Sequence, residues 1–130
     1  MRKIMANYNK TVLIVDDSET DRKALKSMLE EFKLIEAESG YAAQTVITER
    51  RFDLDAIFLD VSMPGLDGFG VLKNMELKGI HNISVFMVSS EATTENVKKA
   101  AKFNVAGFIK KPLDREDVLS RLKTNLGISG

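Results

Sequence analysis

The sequence contains no cysteine, only one histidine, and equal numbers of acidic and basic residues. Without cysteine the chain forms no disulfide, thiolate metal site or cysteine nucleophile. This composition suits a reducing compartment, and we expect a cytoplasmic location. The formal net charge of zero gives no overall field that favours nucleic acid or an anionic membrane. No apolar run approaches the roughly 20 residues of a membrane span. We therefore expect neither direct nucleic-acid binding nor membrane insertion.

The length of 130 residues suits one domain with a single substantial core. Residues 1–10 are basic and lack the apolar segment of a signal peptide, so we expect a flexible lead-in there. The expected domain covers residues 11–127, and residues 128–130 form a short C-terminal tail.

Short apolar segments alternate with segments whose apolar residues recur at helical spacing. The expected strands are residues 11–15, 34–37, 55–60, 83–88 and 105–109, and the expected helices lie near residues 18–32, 41–50, 69–77, 94–101 and 114–126. Strands without a polar break, such as the run from Ala56 to Leu59, are typical of a parallel sheet buried on both faces. The alternation predicts an α/β fold with a doubly wound parallel sheet.

Two of the expected helices carry further signals. Ser18 and Asp21 have the spacing of a capping box at the start of the first helix. The fourth helix has Val97, Ala100 and Ala101 on its expected inner face. Because these side chains are small, we expect this helix to pack less firmly than its neighbours.

Four of the expected strands end in ionisable or hydroxyl residues. These residues are Asp16-Asp17, Asp60, Ser89-Ser90 and Lys110-Lys111. Parallel strands present their carboxyl ends at one edge of the sheet, where ligands bind in open α/β folds. Crowded carboxylates repel one another unless a cation lies among them. Oxygen ligands without histidine or cysteine favour a hard ion such as Mg²⁺.

A metal ion, an ammonium and a hydroxyl can together hold the oxygens of a phosphoryl group, and a carboxylate can accept that group. Asp60 is the best acceptor because it ends the central strand, whereas Asp16 and Asp17 are better placed to hold metal. Plainer interpretations exist for each acid. Asp60 alone is also consistent with a loop cap, and one of the other two with a favourable charge at a helix N-terminus.

Taken together, these motifs resemble the signature of the receiver domain of two-component response regulators, the CheY-like family. The resemblance covers roughly residues 11–127 and is carried by Asp16-Asp17, residues 60–68, residues 88–92 and Lys111-Pro112. It implies a flavodoxin-like (βα)5 fold with strand order 2-1-3-4-5. It also implies a cis peptide bond between Lys111 and Pro112.

The resemblance further implies a role for each site residue. Asp60 would accept a phosphoryl group from a sensor histidine kinase or phosphotransfer protein. The implied Mg²⁺ ligands are Asp16, Asp17, Asp60 and the backbone carbonyl of Ser62. Ser89 and Lys111 would bind the phosphoryl group, and Ser89 and Phe108 would switch conformation. A downstream protein would then bind the face formed by the fourth helix, the fifth strand and the last helix.

We therefore expect a stand-alone phosphoacceptor rather than an enzyme, with at most slow self-phosphorylation and autodephosphorylation. One alternative is the receiver part of a longer regulator or hybrid kinase. A second is a Mg²⁺-dependent phosphohydrolase, but Ser62 stands where haloacid-dehalogenase-type phosphatases carry an aspartate. A third is a non-phosphorylated interaction module, which the complete set of site residues disfavours.

Overall fold

A five-stranded parallel sheet forms the centre of the computed structural model, which describes residues 8–128. The strands are β1 (Thr11–Val15), β2 (Lys33–Ala37), β3 (Ala56–Asp60), β4 (Ser84–Ser89) and β5 (Gly107–Lys110). Their order in the sheet is β2-β1-β3-β4-β5, and every neighbouring pair is parallel. The α/β class, the parallel sheet and the strand order are confirmed.

Helices cover both faces of this sheet. They are α1 (Glu19–Met28), α2 (Gly40–Arg50), α3 (Gly68–Leu77), α4 (Thr94–Ala101) and α5 (Arg115–Leu126). One apolar cluster joins α1 and α5 to one face of the sheet, through residues such as Leu25 and Val118. A second cluster joins α2, α3 and α4 to the opposite face, through Ala43, Leu72 and Ala100. Strands β1 and β3 are buried along their whole length because both faces are covered.

The sequence pattern misplaced some residues near the helix ends. Phe32 is buried as expected, but α1 ends at Met28, so Phe32 belongs to the connection that follows.

On α4 only Ala100 is buried, whereas Val97 is 41% exposed and Ala101 is also exposed. The expected inner face of this helix was therefore too wide. A single buried alanine gives α4 little apolar area with which to hold its position.

The chain outside the sheet and helices bears on two further expectations. Residues 1–7 of the expected lead-in, and residues 129–130 of the expected tail, lie outside the described part of the chain. Within it, the Tyr8 ring lies 5.1 Å from that of Phe32, which brings the start of the described chain against the α1–β2 connection. The Lys111–Pro112 peptide bond is cis, as the resemblance implies. Among residues 8–128, no helix combines the length and apolar character that a membrane crossing requires.

Candidate functional site

Three carboxylates meet where β1 and β3 end. These strands are neighbours in the sheet, so Asp16 and Asp17, which follow β1, lie beside Asp60, the last residue of β3. Each acid offers one oxygen to a group whose members lie within 4.8 Å of one another. Asp16 and Asp60 are each only 6% exposed, whereas Asp17 is open to solvent. The sheet thus gathers three negative charges, two of them almost withdrawn from water.

Lys111 supplies positive charge to this group from the other side of β4. Its ammonium lies 2.9 Å from Asp16 Oδ2 and 3.6 Å from Asp60 Oδ1. The backbone N–H of Lys111 donates to the carbonyl of Ser89 at 2.9 Å, which ties the residue to the end of β4. The preceding residue, Lys110, ends β5 with an exposed side chain. Of the two consecutive lysines, Lys111 is the one that enters the site.

The arrangement shifts two pKa values in the same direction for different reasons. Burial raises the pKa of Asp60 to about 6, assisted by the charges of Asp16 and Asp17 and opposed by Lys111. Burial works against the charge of Lys111, but its bonds to Asp16 and Asp21 outweigh burial and hold the Lys111 pKa above its usual range. At neutral pH Asp60 is therefore mainly ionised but carries a charge that its surroundings disfavour. A bound cation would relieve that cost.

The β1–α1 connection is fixed by hydrogen bonds around Asp16. The backbone N–H of Ser18 donates to Asp16 Oδ1 at 2.9 Å, and Arg22 Nη1 donates to the Asp16 carbonyl at 2.7 Å. Arg22 Nε also donates to Glu36 at 3.2 Å, so the edge strand β2 helps to hold this arginine. Asp16 therefore has a defined orientation before any ligand enters.

Ser89 is 2% exposed and ends β4, next to β3 in the sheet. Its hydroxyl accepts a hydrogen bond from the Glu91 N–H at 2.9 Å and donates to the Glu91 carbonyl at 3.2 Å. Asn96 Nδ2 on α4 donates to the same carbonyl at 3.1 Å. The hydroxyl is thus engaged within its own loop, and that loop is linked to the first turn of α4.

The loop after Asp60 turns back closely on the end of β3. The Asp67 side chain caps α3 by accepting from the Gly70 N–H at 2.8 Å, and the Gly68 N–H donates to the Val61 carbonyl at 2.9 Å. A Cβ atom at Gly68 would lie 2.4 Å from the Asp60 carbonyl oxygen, so only glycine permits this approach. Packing of α3 against the strand end therefore restrains the backbone of Asp60.

Two predicted site residues remain: Ser62, two residues after Asp60, and Phe108, three residues before Lys111. Ser62 is exposed in the loop after β3, where it borders a shallow depression with Met63, Pro64 and Asp67. Phe108 is partly buried on β5 and packs against the apolar cluster beneath α2, α3 and α4. The metal-ligand role of the Ser62 carbonyl and the switch role of Phe108 stay predictions.

Sequence reasoning overlooked two residues of the site, Asp21 and Arg22. Asp21 was assigned only to a capping box, and its N–H does donate to Ser18 Oγ at 3.2 Å. Its carboxylate, however, accepts from Lys111 Nζ at 2.8 Å. A signal was available, because an acid in the first turn of a helix that follows β1 lies near the same sheet edge. The sequence spacing did not indicate the contact with Lys111, because that residue lies 90 positions after Asp21 in the chain.

The chain matches the model of the response regulator receiver domain over residues 12–123. It is 32% identical over 120 residues to chemotaxis protein CheY-3 of Vibrio cholerae, and the match covers 89% of this chain and 91% of that protein. It is 37% identical over 115 residues to a cyclic di-GMP phosphodiesterase of Thermotoga maritima, of which it covers only 29%. The similarity to that longer protein therefore concerns a part of it.

Solved structures show the same likeness. A chain in the crystal structure of the CheX–CheY–BeF3–Mg²⁺ complex from Borrelia burgdorferi is 35% identical and superposes with a TM-score of 0.82. That match covers 92% of this chain and 93% of the other. A receiver domain from Clostridium thermocellum, at 22% identity and a TM-score of 0.83, shares the fold.

Proposed function

This chain belongs to the response regulator receiver domain family, whose members accept phosphoryl groups in two-component systems, and we propose that Asp60 is its phosphoacceptor. The observation that carries this proposal is a buried carboxylate at the end of the central strand, with two acids and a lysine ammonium around it. Family members act as phosphoacceptors rather than as classical enzymes. The comparisons give no support to the phosphohydrolase alternative.

The proposed step uses an Asp60 carboxylate oxygen as the nucleophile. That oxygen forms a bond to phosphorus while the bond between phosphorus and the donor's leaving atom breaks. The electron pair of the broken bond goes to the leaving atom, which is an imidazole nitrogen when the donor is a phosphohistidine. Since the pKa of Asp60 is about 6, most of the protein carries the required ionised carboxylate at neutral pH.

We propose Asp16, Asp17, Asp60 and the backbone carbonyl of Ser62 as the ligands of a Mg²⁺ ion. The donor set fits such an ion, because the three clustered side chains offer only carboxylate oxygens. The raised pKa of Asp60 is consistent with the same fit, since burial and then the charges of Asp16 and Asp17 disfavour its ionised form more than Lys111 favours it. When bound, Mg²⁺ would neutralise charge on the phosphoryl oxygens.

Lys111 and Ser89 are the proposed partners of the phosphoryl group. Lys111 already lies 3.6 Å from Asp60 Oδ1, so a small movement would bring its ammonium to an oxygen on the new group. Ser89 must first release its two bonds to Glu91 before its hydroxyl can turn towards Asp60. Phosphorylation would then disturb the loop whose carbonyl Asn96 holds, and with it the start of α4.

The proposed partners follow from this coupling. A histidine kinase or phosphotransfer protein would deliver the group at the open edge, and a downstream protein would bind the α4–β5–α5 face. Only Ala100 of α4 is buried, so moving this helix disturbs little packing. Phe108 on the same face would turn inward with Ser89, which makes the response a shift between two conformations. The cytoplasmic location and the absence of direct nucleic-acid binding remain predictions.

The test compares wild-type protein with Asp60→Asn in acetyl phosphate and Mg²⁺. We expect the wild type to gain one phosphoryl group by intact-mass spectrometry, and Asp60→Asn to gain none. The matched control is Asp53→Asn, which removes an exposed acid from the loop before β3 and should leave labelling intact. Equal labelling of Asp60→Asn and wild type, or no labelling of any variant, would show that Asp60 is not the acceptor.

A further inference from the structure

We infer that Asp21 is a positioning residue that holds the Lys111 ammonium on the α1 side of the site, outside hydrogen-bond distance of Asp60. This inference rests on the proposed function, because it concerns whether the Lys111 ammonium binds Asp16 and Asp21 or a phosphoryl group on Asp60. It assigns a role to a carboxylate that is not one of the three clustered acids.

The geometry of the ammonium carries the inference. Lys111 Nζ makes hydrogen bonds of 2.8 Å to Asp21 Oδ2 and 2.9 Å to Asp16 Oδ2, whereas Asp60 Oδ1 lies 3.6 Å away. Both bonded partners lie on the connection and helix that follow β1. The ammonium is therefore drawn away from the reactive carboxylate and towards α1.

Asp21 is held by the helix and not by the sheet. It lies in the first turn of α1, and its N–H donates to the capping hydroxyl of Ser18 at 3.2 Å. It does not belong to the group of Asp16, Asp17 and Asp60. A cation bound by that group would share the charge of Asp16 but would leave Asp21 to Lys111. Lys111 would therefore retain its hydrogen bond to Asp21 when the metal ion is bound.

Two opposite effects follow from this placement. By keeping the ammonium towards α1, Asp21 lowers the repulsion that a cation meets at the three acids, and so favours Mg²⁺ binding. By competing for the same ammonium, Asp21 opposes the transfer of Lys111 to an anion on Asp60. The Asp21 side chain is 44% exposed and that of Lys111 is 20% exposed, so each effect should be modest.

The experiment measures both affinities in Asp21→Asn, with Mg²⁺ alone and then with beryllofluoride at saturating Mg²⁺, by titration calorimetry. We expect Mg²⁺ to bind about three- to five-fold more weakly, and beryllofluoride about three- to five-fold more tightly, the range of a half-exposed ion pair. Asp21→Glu should restore both affinities towards wild type. The matched control is Glu19→Gln, an exposed acid in the same helix turn that pairs with Lys23. It should change neither affinity.

Opposite signs separate positioning from a structural role, since a weakened fold would reduce both affinities together. A parallel fall in both, or values for Asp21→Asn equal to those of Glu19→Gln, would overturn the inference. A crystal structure of metal-free Asp21→Asn gives a second readout, in which Lys111 Nζ should move within hydrogen-bond distance of Asp60. If no variant binds beryllofluoride, the proposed function fails. The inference is then decided by that structure, in which an unchanged Lys111 would refute it.

Discussion

Replacing Asp60 with asparagine should make the metal-free protein more stable at neutral pH, although it removes the proposed reactive group. The ionised carboxylate is only 6% exposed, and its surroundings raise its pKa from 3.8 to about 6. Each pKa unit corresponds to about 1.4 kcal/mol, so the charge costs the folded state about 3 kcal/mol. The opposing attraction of Lys111 is already included in that net shift. About 1 kcal/mol of this gain would be lost, because an asparagine at this position would leave some of its hydrogen-bonding groups without partners.

The stability difference between Asp60→Asn and wild type should also depend on pH, in a direction that the raised pKa of Asp60 determines. A carboxyl group with a raised folded-state pKa imposes no cost while it is protonated, so its stability contribution is complete below pH 3.8. That contribution is lost as the pH rises through about 6, the folded-state value. We therefore expect the advantage of Asp60→Asn over wild type to widen by about 1.4 kcal/mol between about pH 5 and pH 7.5. Titrating groups that do not interact with Asp60 affect both proteins alike and cancel in the difference.

Urea unfolding of both proteins in the presence of a chelator measures this difference directly. Asp53→Asn serves as the control, because its exposed carboxylate should give the same small effect at both pH values. Excess Mg²⁺ should narrow the stability gap between wild type and Asp60→Asn, since the cation offsets the Asp60 charge, which the variant lacks. A gap that stays constant with pH, or an Asp60→Asn protein less stable than wild type at pH 7.5, would refute the reasoning.

Three further substitutions test other parts of the site. Ser89→Ala should cost about 1 kcal/mol in urea unfolding, because a loop amide loses its acceptor, and should weaken beryllofluoride binding. The control is Ser90→Ala, at the exposed neighbouring residue, which should change neither the stability nor the affinity for beryllofluoride. Gly68→Ala should cost about 2 kcal/mol, because the new methyl group meets a backbone oxygen at 2.4 Å. In Gly70→Ala the new methyl group meets side chains and no backbone atom, most closely the flexible end of Leu66, so this variant should remain within about 1 kcal/mol of wild type. Asp17→Asn should weaken Mg²⁺ binding by about tenfold or more in calorimetry, while metal-free stability changes little. These expectations would be contradicted if Ser90→Ala lost more stability than Ser89→Ala, or Gly70→Ala more than Gly68→Ala. They would also be contradicted if Asp17→Asn bound Mg²⁺ as tightly as wild type.

The sheet could be predicted because its sequence signals are uninterrupted. Runs such as Ala56 to Leu59 contain no polar residue, and the strand that they predict is buried on both faces. Parallel pairing then places every strand's carboxyl end at one edge, which is why the three clustered acids could be expected together. The identity of the family was available for the same reason, since its motifs occur at those strand ends.

Features that depend on one side chain reaching another could not be predicted. The contact between Asp21 and Lys111 spans 90 positions and depends on how far a lysine extends across β4. The narrow inner face of α4 depends on how closely the helix approaches the sheet, which a period of apolar residues does not specify. Val97 satisfies the helical period and is still 41% exposed. Periodicity identifies the side of a helix that faces inward but not the width of its contact.

The same charges make the site reactive and costly to fold. Asp16 and Asp60 lie above strands whose apolar residues are fully buried, so their charges are poorly hydrated and strongly coupled to Lys111. A ligand that adds positive charge there binds only the folded arrangement and therefore stabilises it. Meanwhile α4 buries a single alanine, Ala100, which is smaller than Leu25, the one buried residue of α1, so α4 has little apolar area holding it to the sheet. Binding energy released at a rigid acidic edge can thus shift a weakly held helix without loss of the core beneath it.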